Sequence, residues 1–106
     1  SEDYLAQQQE KFNTLKKRYD IILDDFEKHP EYKDAFESMP FNSGYFMCVR
    51  PIGVDAEILR KELIANYSTG VIVLSGLVRL AFSSVPTDKI PQMFENIYQA
   101  ILKLRA

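Results

Sequence analysis

Apolar residues at Leu5, Phe12, Leu15, Tyr19, Ile22, Leu23 and Phe26 recur in steps near seven, four and three. That spacing draws one stripe along a helix and predicts a long helix over about 3–28. Gln7, Gln8, Gln9, Glu10, Lys16, Lys17 and Asp20 occupy the other faces, and Asp24, Asp25 and Glu27 read as part of a solvated face. The stripe imitates coiled-coil heptads, but Gln8 interrupts it, so a helix packed on its own or a neighbouring domain is expected rather than a free zipper. Pro30 ends the helix, because proline in a helix interior removes a hydrogen bond and clashes with the preceding turn.

Beyond the helix the pattern shortens. Tyr32 and Phe36 can share a face of a helical turn, and Pro40 with Asn42-Ser43-Gly44 punctuates the chain. Tyr45-Phe46-Met47-Cys48-Val49-Arg50 predicts a strand, apolar on both faces and so expected to be covered on both, stopped by Pro51 and Gly53. Asp55 reads as the N-cap of a helix over 55–67, closed by Ser68-Thr69-Gly70. Val71-Ile72-Val73-Leu74 is wholly apolar and is expected in the centre of a sheet. Ser75-Gly76 can serve as a two-residue hairpin loop into a strand over 77–82. On that strand Val78, Leu80 and Phe82 share one face, while Leu77, Arg79 and Ala81 share the other. Thr87 or Asp88 is the expected cap of a final helix whose buried stripe is Ile90, Met93, Phe94, Ile97, Ile101 and Leu104. Lys103 and Arg105 suit its negative end.

The predicted order is helix, strand, helix, strand, strand, helix. It describes an α/β (α+β) two-layer sandwich, an antiparallel or mixed sheet backed by helices. Residues 1–106 form one domain, with 1–29 as the long helix and 42–106 as the sheet-and-helix part.

A length of 106 residues suits one domain, and 46% hydrophobic residues are enough for a core. A net charge of -2 with mixed signs argues against a nucleic-acid partner. No apolar run approaches the length of a membrane span. The start Ser1-Glu2-Asp3-Tyr4 is polar and lacks an initiator Met, which suggests a processed product or a piece of something longer. Cys48 is the only cysteine and His29 the only histidine. A Cys/His zinc cluster is therefore excluded, and Cys48 reads as a small buried thiol in a reducing, cytoplasmic setting. The four glycines are isolated, so no phosphate-cradling loop exists. No nucleophile elbow or metal-ligand pair is present, and the chain carries no self-sufficient active site.

Arg79 is the candidate site residue. It interrupts a run that otherwise reads as a buried strand, and a guanidinium stays charged at any working pH. It can snorkel from a strand edge or pair with a nearby Glu. Alternatively it can act as a carboxylate clamp, offering a planar fork to two oxygens.

The ordered set of segments resembles the C-terminal small domain of fold-type I, pyridoxal-phosphate-dependent aminotransferases of class I and II. Asn42-Ser43-Gly44-Tyr45-Phe46-Met47 looks like the Gly-aromatic strand that opens that domain. Asp55-Ala56-Glu57-Ile58-Leu59-Arg60-Lys61-Glu62-Leu63 looks like its following helix, and Tyr67-Ser68-Thr69-Gly70-Val71-Ile72-Val73 like its next strand entry. Val78-Arg79-Leu80-Ala81-Phe82-Ser83 resembles the strand that bears the family's substrate-binding arginine, and 90–104 resembles its closing helix. The resemblance implies that the first helix bridges to a large domain and that Arg79 pairs with the carboxylate of amino-acid and 2-oxo-acid substrates. It implies a dimeric parent enzyme binding pyridoxal 5'-phosphate in the large domain, with no catalytic, cofactor-binding or metal-binding residue in this part. The isolated chain is then expected to be inactive and to associate through surface the large domain covers. The loop between Val73 and Val78 is shorter than in many members, which leaves the substrate range open. A free-standing regulatory domain that binds a small molecule is the alternative.

Overall fold

A computed structural model describes residues 16–39, 47–80 and 85–106. The first half of the predicted long helix, the punctuation at Pro40 and Asn42-Ser43-Gly44, residues 45–46 of the first predicted strand and residues 81–82 of the last one lie outside the described residues.

The first helix, α1, runs through 16–28 and places Ile22 in the core. A 3-10 turn, Pro30–Asp34, follows it. Next come β1 (Phe36–Ser38), β2 (Met47–Pro51), α2 (Ala56–Tyr67), β3 (Ile72–Leu74), β4 (Leu77–Leu80), a 3-10 turn at Thr87–Lys89 and α3 (Ile90–Arg105). The strands form one antiparallel sheet in the order β1-β2-β4-β3. The fold is an α+β two-layer sandwich, with helices on one face of the sheet.

Alternation along the strands builds the core. Met47, Val49 and Pro51 of β2 and Val78 and Leu80 of β4 are buried, facing Leu59 and Leu63 of α2 and Ile90, Phe94, Ile97 and Ile101 of α3. An aromatic group joins α1 to this core. The Phe26 ring meets Phe94 edge-on at 4.8 Å, and Tyr32 lies 5.1 Å from Tyr98 and 5.4 Å from Phe36 between ring centroids.

Local signals at element ends explain several boundaries. The Asp55 carboxylate accepts from the backbone N–H of Glu57 at 3.1 Å and of Ile58 at 3.2 Å, so it caps α2 as its sequence position predicts. That helix ends at Tyr67, where the sequence places its end. Ser68 takes the left-handed conformation (φ 52°), and Thr69 N–H donates to the Leu63 carbonyl at 3.0 Å. Ser75 (φ 53°) and Gly76 (φ 77°) both have the positive φ of a tight type I′ hairpin turn, so β3 and β4 are joined by two residues. Gly53 (φ 77°) lets the chain turn under the end of α3, where a Cβ would come within 3.3 Å of Arg105 Nε. Arg105 there donates to the carbonyls of Asp34 and Ile52, each at 2.6 Å.

Four expectations are corrected. Val71–Leu74 is not central: β3 is an edge strand, and Ile72 and Leu74 are 54% and 53% exposed. An apolar run does not distinguish a strand buried on both faces from one whose outer side chains await a cover. For the same reason β2 is covered on one face only; Cys48 is half-buried and Arg50 exposed. β1 was not anticipated, because Phe36 read as part of a helical turn with Tyr32 and a three-residue strand has too little length to show alternation. Neither Thr87 nor Asp88 caps α3 with its side chain. Both lie in the 3-10 turn that feeds it, and Pro91 occupies the first turn, where a missing N–H costs nothing.

Candidate functional site

Arg79 lies in the interior of the sheet, not at its edge. β4 has β2 on one side and β3 on the other, and Arg79 stands in register with Cys48 and with Ile72. Its side chain is half-buried on the face that the helices leave open. Leu77 and Cys48 are half-buried on that face too, and Ile72 and Leu74 are exposed. The face also carries Arg50, which forms an ion pair with Glu37 across the β1–β2 ladder. The neighbours of Arg79 in register are thus a thiol and an aliphatic side chain. A guanidinium is planar and can give two parallel N–H bonds to one carboxylate.

A second concentration of titratable groups lies on the helical side, where α1, the Pro30–Asp34 turn and α3 meet. Ile22 and Asp25, three apart, share one face of α1, and His29 follows just past its end. Asp25 therefore does not belong to a solvated face: it is 6% exposed, which corrects the expectation for it. Its neighbours Asp24 and Glu27 are exposed, as predicted. The Asp25 Oδ1 faces His29 Nε2 at 3.7 Å, too long for a hydrogen bond, and Oδ2 is buried without a hydrogen-bond partner. Burial pushes the Asp25 carboxyl above its ordinary range; His29 pulls it back, while Glu95 and Asp24 push it further up.

The groups around Asp25 are better satisfied. His29 Nδ1 lies 3.1 Å from Glu31 Oε2, and the imidazole stacks on Tyr32 at 4.8 Å. The Glu31 hydrogen bond raises the His29 pKa, with Asp25 adding to it. The Tyr32 hydroxyl donates to Glu95 Oε2 at 2.7 Å, and Gln99 Nε2 donates to Glu95 Oε1 at 3.0 Å. These two donors hold the Glu95 carboxyl below the usual range, while burial and the bond to Glu95 push the Tyr32 phenol far up. The spacing of Asp25 with Ile22 and His29 was the available sequence signal for this corner. Reading the carboxylates as one charged run hid it.

The described residues do not fit a pyridoxal phosphate site. All seven described lysines, at 16, 17, 28, 33, 61, 89 and 103, are exposed, so none offers a buried amine at the floor of a cavity. Among the described residues no group of three or more His, Cys, Asp or Glu could hold a metal ion, and no helix is long and apolar enough to cross a membrane. Comparison of the chain with models of known protein families and with curated proteins gives no match.

Proposed function

We propose that this chain is the C-terminal small domain of a pyridoxal-phosphate-dependent aminotransferase, and that Arg79 receives the carboxylate of its amino-acid and 2-oxo-acid substrates. The observation that supports this reading is the place of Arg79: an interior strand, half-buried, on the open face of an otherwise covered sheet. The antiparallel ladders on both sides of β4 fix the backbone from which the guanidinium projects. A substrate gripped there by two parallel bonds loses rotation as well as translation, and that positioning can lower the barrier of a later step. Its neighbours in register, Cys48 and Ile72, are an uncharged thiol and an aliphatic side chain, and Arg50 on the same face pairs with Glu37. The cofactor supplies an electron sink when bound. In this reading its amine partner and phosphate cradle belong to a large domain bridged by α1, in a dimeric, cytoplasmic parent.

The test uses the full-length parent protein. Pyridoxal phosphate is titrated in and followed by absorbance, and a panel of amino acids is then assayed with the wild type, Arg79→Ala and Arg79→Lys. Arg79→Ala is expected to lower kcat/KM for amino acids by about 10- to 100-fold, the worth of a charged hydrogen-bonded pair, with cofactor absorbance intact. Arg79→Lys should recover only part of the loss, since an ammonium cannot present the planar fork. Unchanged kinetics in Arg79→Ala would remove the residue from this role. A native product without a lysine-bearing large domain would favour a free-standing domain that binds a small molecule.

A further inference from the structure

We propose that β3 pairs with β3 of a second copy of this chain, antiparallel about a two-fold axis at Val73, so that two sheets join into one. Among the described residues no strand lies beyond β3 in the order β1-β2-β4-β3. The two-residue turn at Ser75-Gly76 decides which backbone groups that edge presents. The residues flanking such a turn exchange both ladder bonds, so Leu74 is bonded to Leu77 and, by alternation, Ile72 to Arg79. Val73, between them, turns its N–H and C=O away from β4 and out from the sheet. A donor and an acceptor on one residue are what a two-fold axis needs, since each copy's Val73 N–H can then donate to the other copy's Val73 carbonyl.

The side chains follow the same symmetry. Pairing about Val73 sets Ile72 opposite Leu74 of the second copy, twice, on the outer face, where the two are 54% and 53% exposed. Side chains across such a pair lie close and can cover each other. Charge also favours a second copy. No residue in 68–78 is charged, so identical edges meet without repulsion, and the edge offers no charge by which to select a different chain. The helix over this side of the sheet is α2, which packs on β3 and β4. Glu62 bonds to Lys103 on its α3 side, so Ile64, half a turn round, lies on the opposite side toward the free edge and is 50% exposed. Glu57 and Arg60 share the side of Ile64 and satisfy each other at 3.0 Å, which leaves that flank neutral. The other edge strand, β1, differs: it carries Glu37 in an ion pair with Arg50, a charged guard against pairing. A contact of one short strand and one helix residue is small, so the dimer is weak and concentration-dependent. It uses the edge of β3 and not the guanidinium of Arg79, so it does not rest on the aminotransferase reading.

The experiment measures amide hydrogen exchange by NMR over a concentration series of the chain, with sedimentation velocity on the same samples. Self-association is expected to grow with concentration, and the Val73 amide should slow more than the Leu74 amide, which the hairpin already bonds. Val73→Pro removes an N–H that faces outward, a change an edge strand tolerates. It should weaken association about tenfold, the worth of two backbone hydrogen bonds. Ile72→Lys and Leu74→Glu should each weaken association, and the double variant should recover part of the loss, because in this register an ammonium then faces a carboxylate of the second copy. A chain that stays monomeric throughout, equal slowing of the Val73 and Leu74 amides, unaltered association in Val73→Pro, or no recovery in the double variant would each overturn the proposal.

Discussion

The two faces of the sheet are made from the same strands and differ in almost every other respect. On the inner face, Met47 and Leu80 stand opposite each other, as do Val49 and Val78, and all four are buried beneath α2 and α3. One residue along each strand, the outer face sets Cys48 opposite Arg79 and carries Ile72, Leu74 and Leu77, with no helix of the described residues over them. Period-two alternation makes that division automatic, since a strand cannot bury one residue without turning the next one away. The inner face is where removal from water stabilises the fold. The outer face, with Ile72 and Leu74 more than half exposed and Arg79 half-buried, contributes less to it.

The largest expected consequence of this division is energetic and lies within β4. Leu80→Ala removes side-chain atoms from a site 2% exposed and should cost about 2–5 kcal/mol, the range for cavity-forming truncations. Leu77→Ala, three residues away and on the open face, should cost less, about 1–2 kcal/mol, because its side chain is only partly buried and the gap it leaves opens to water. Urea unfolding of the two variants at one protein concentration measures both. Equal losses would mean that the outer face is covered in solution, and the comparison would fail.

The inner side also contains a charge, and there the sign of the effect reverses. Asp25 is raised above its ordinary pKa by burial, so the stability linked to its proton is complete below about pH 4 and is lost as pH rises through its folded value. At neutral pH the ionised group therefore destabilises the fold. Asp25→Asn should raise stability by roughly 1 kcal/mol at pH 7, or about 4–8 °C in Tm for a domain of this size, and by less at pH 4. A lower Tm at pH 7 would show that an unseen donor already satisfies the carboxylate.

A smaller, pH-dependent effect belongs to His29. Glu31 and Asp25 raise its folded pKa, so its contribution is present below the unfolded value near 6.5 and disappears as pH rises through the folded one. Thermal melts between about pH 5.5 and 8.5 should show stability falling over the upper part of that range in the wild type, and no such step in His29→Gln. An unchanged step in the variant would assign the fall to another group.

How much of this could be read beforehand depended on the length of each signal. The α3 stripe spans four turns, and every one of its predicted members except the half-buried Leu104 is buried. The Asp55 cap and the Ser75-Gly76 turn were legible because each rests on local chemistry, a side-chain acceptor in one case and positive φ in the other. Strand order was not legible. Ile72 and Leu74 are as apolar as any core residue, and the exposure of β3 follows from β4 pairing with β2 rather than from anything in 71–74. The face on which Arg79 stands was fixed by alternation, whereas its position in an interior strand required the sheet. Asp25 was missed because its burial depends on α3 packing over one face of α1, a tertiary fact that a run of carboxylates conceals.

Ile72 provides the smallest and most discriminating test. It is 54% exposed, and threonine keeps its branching and strand preference, so Ile72→Thr should change the stability of the dilute chain by no more than about 0.5 kcal/mol. Its effect on association should be larger. An edge strand with exposed aliphatic side chains and no charge or proline at 71–74 lacks the usual guards against pairing with another chain. Sedimentation velocity at increasing concentration is expected to show self-association of the wild type, and a weaker tendency in Ile72→Thr. If dilute stability fell sharply instead, Ile72 would belong to the fold's own packing. If the wild type stayed monomeric throughout, the open face would need no cover, and the distinction between a face that stabilises and a face that receives would rest on Arg79 alone.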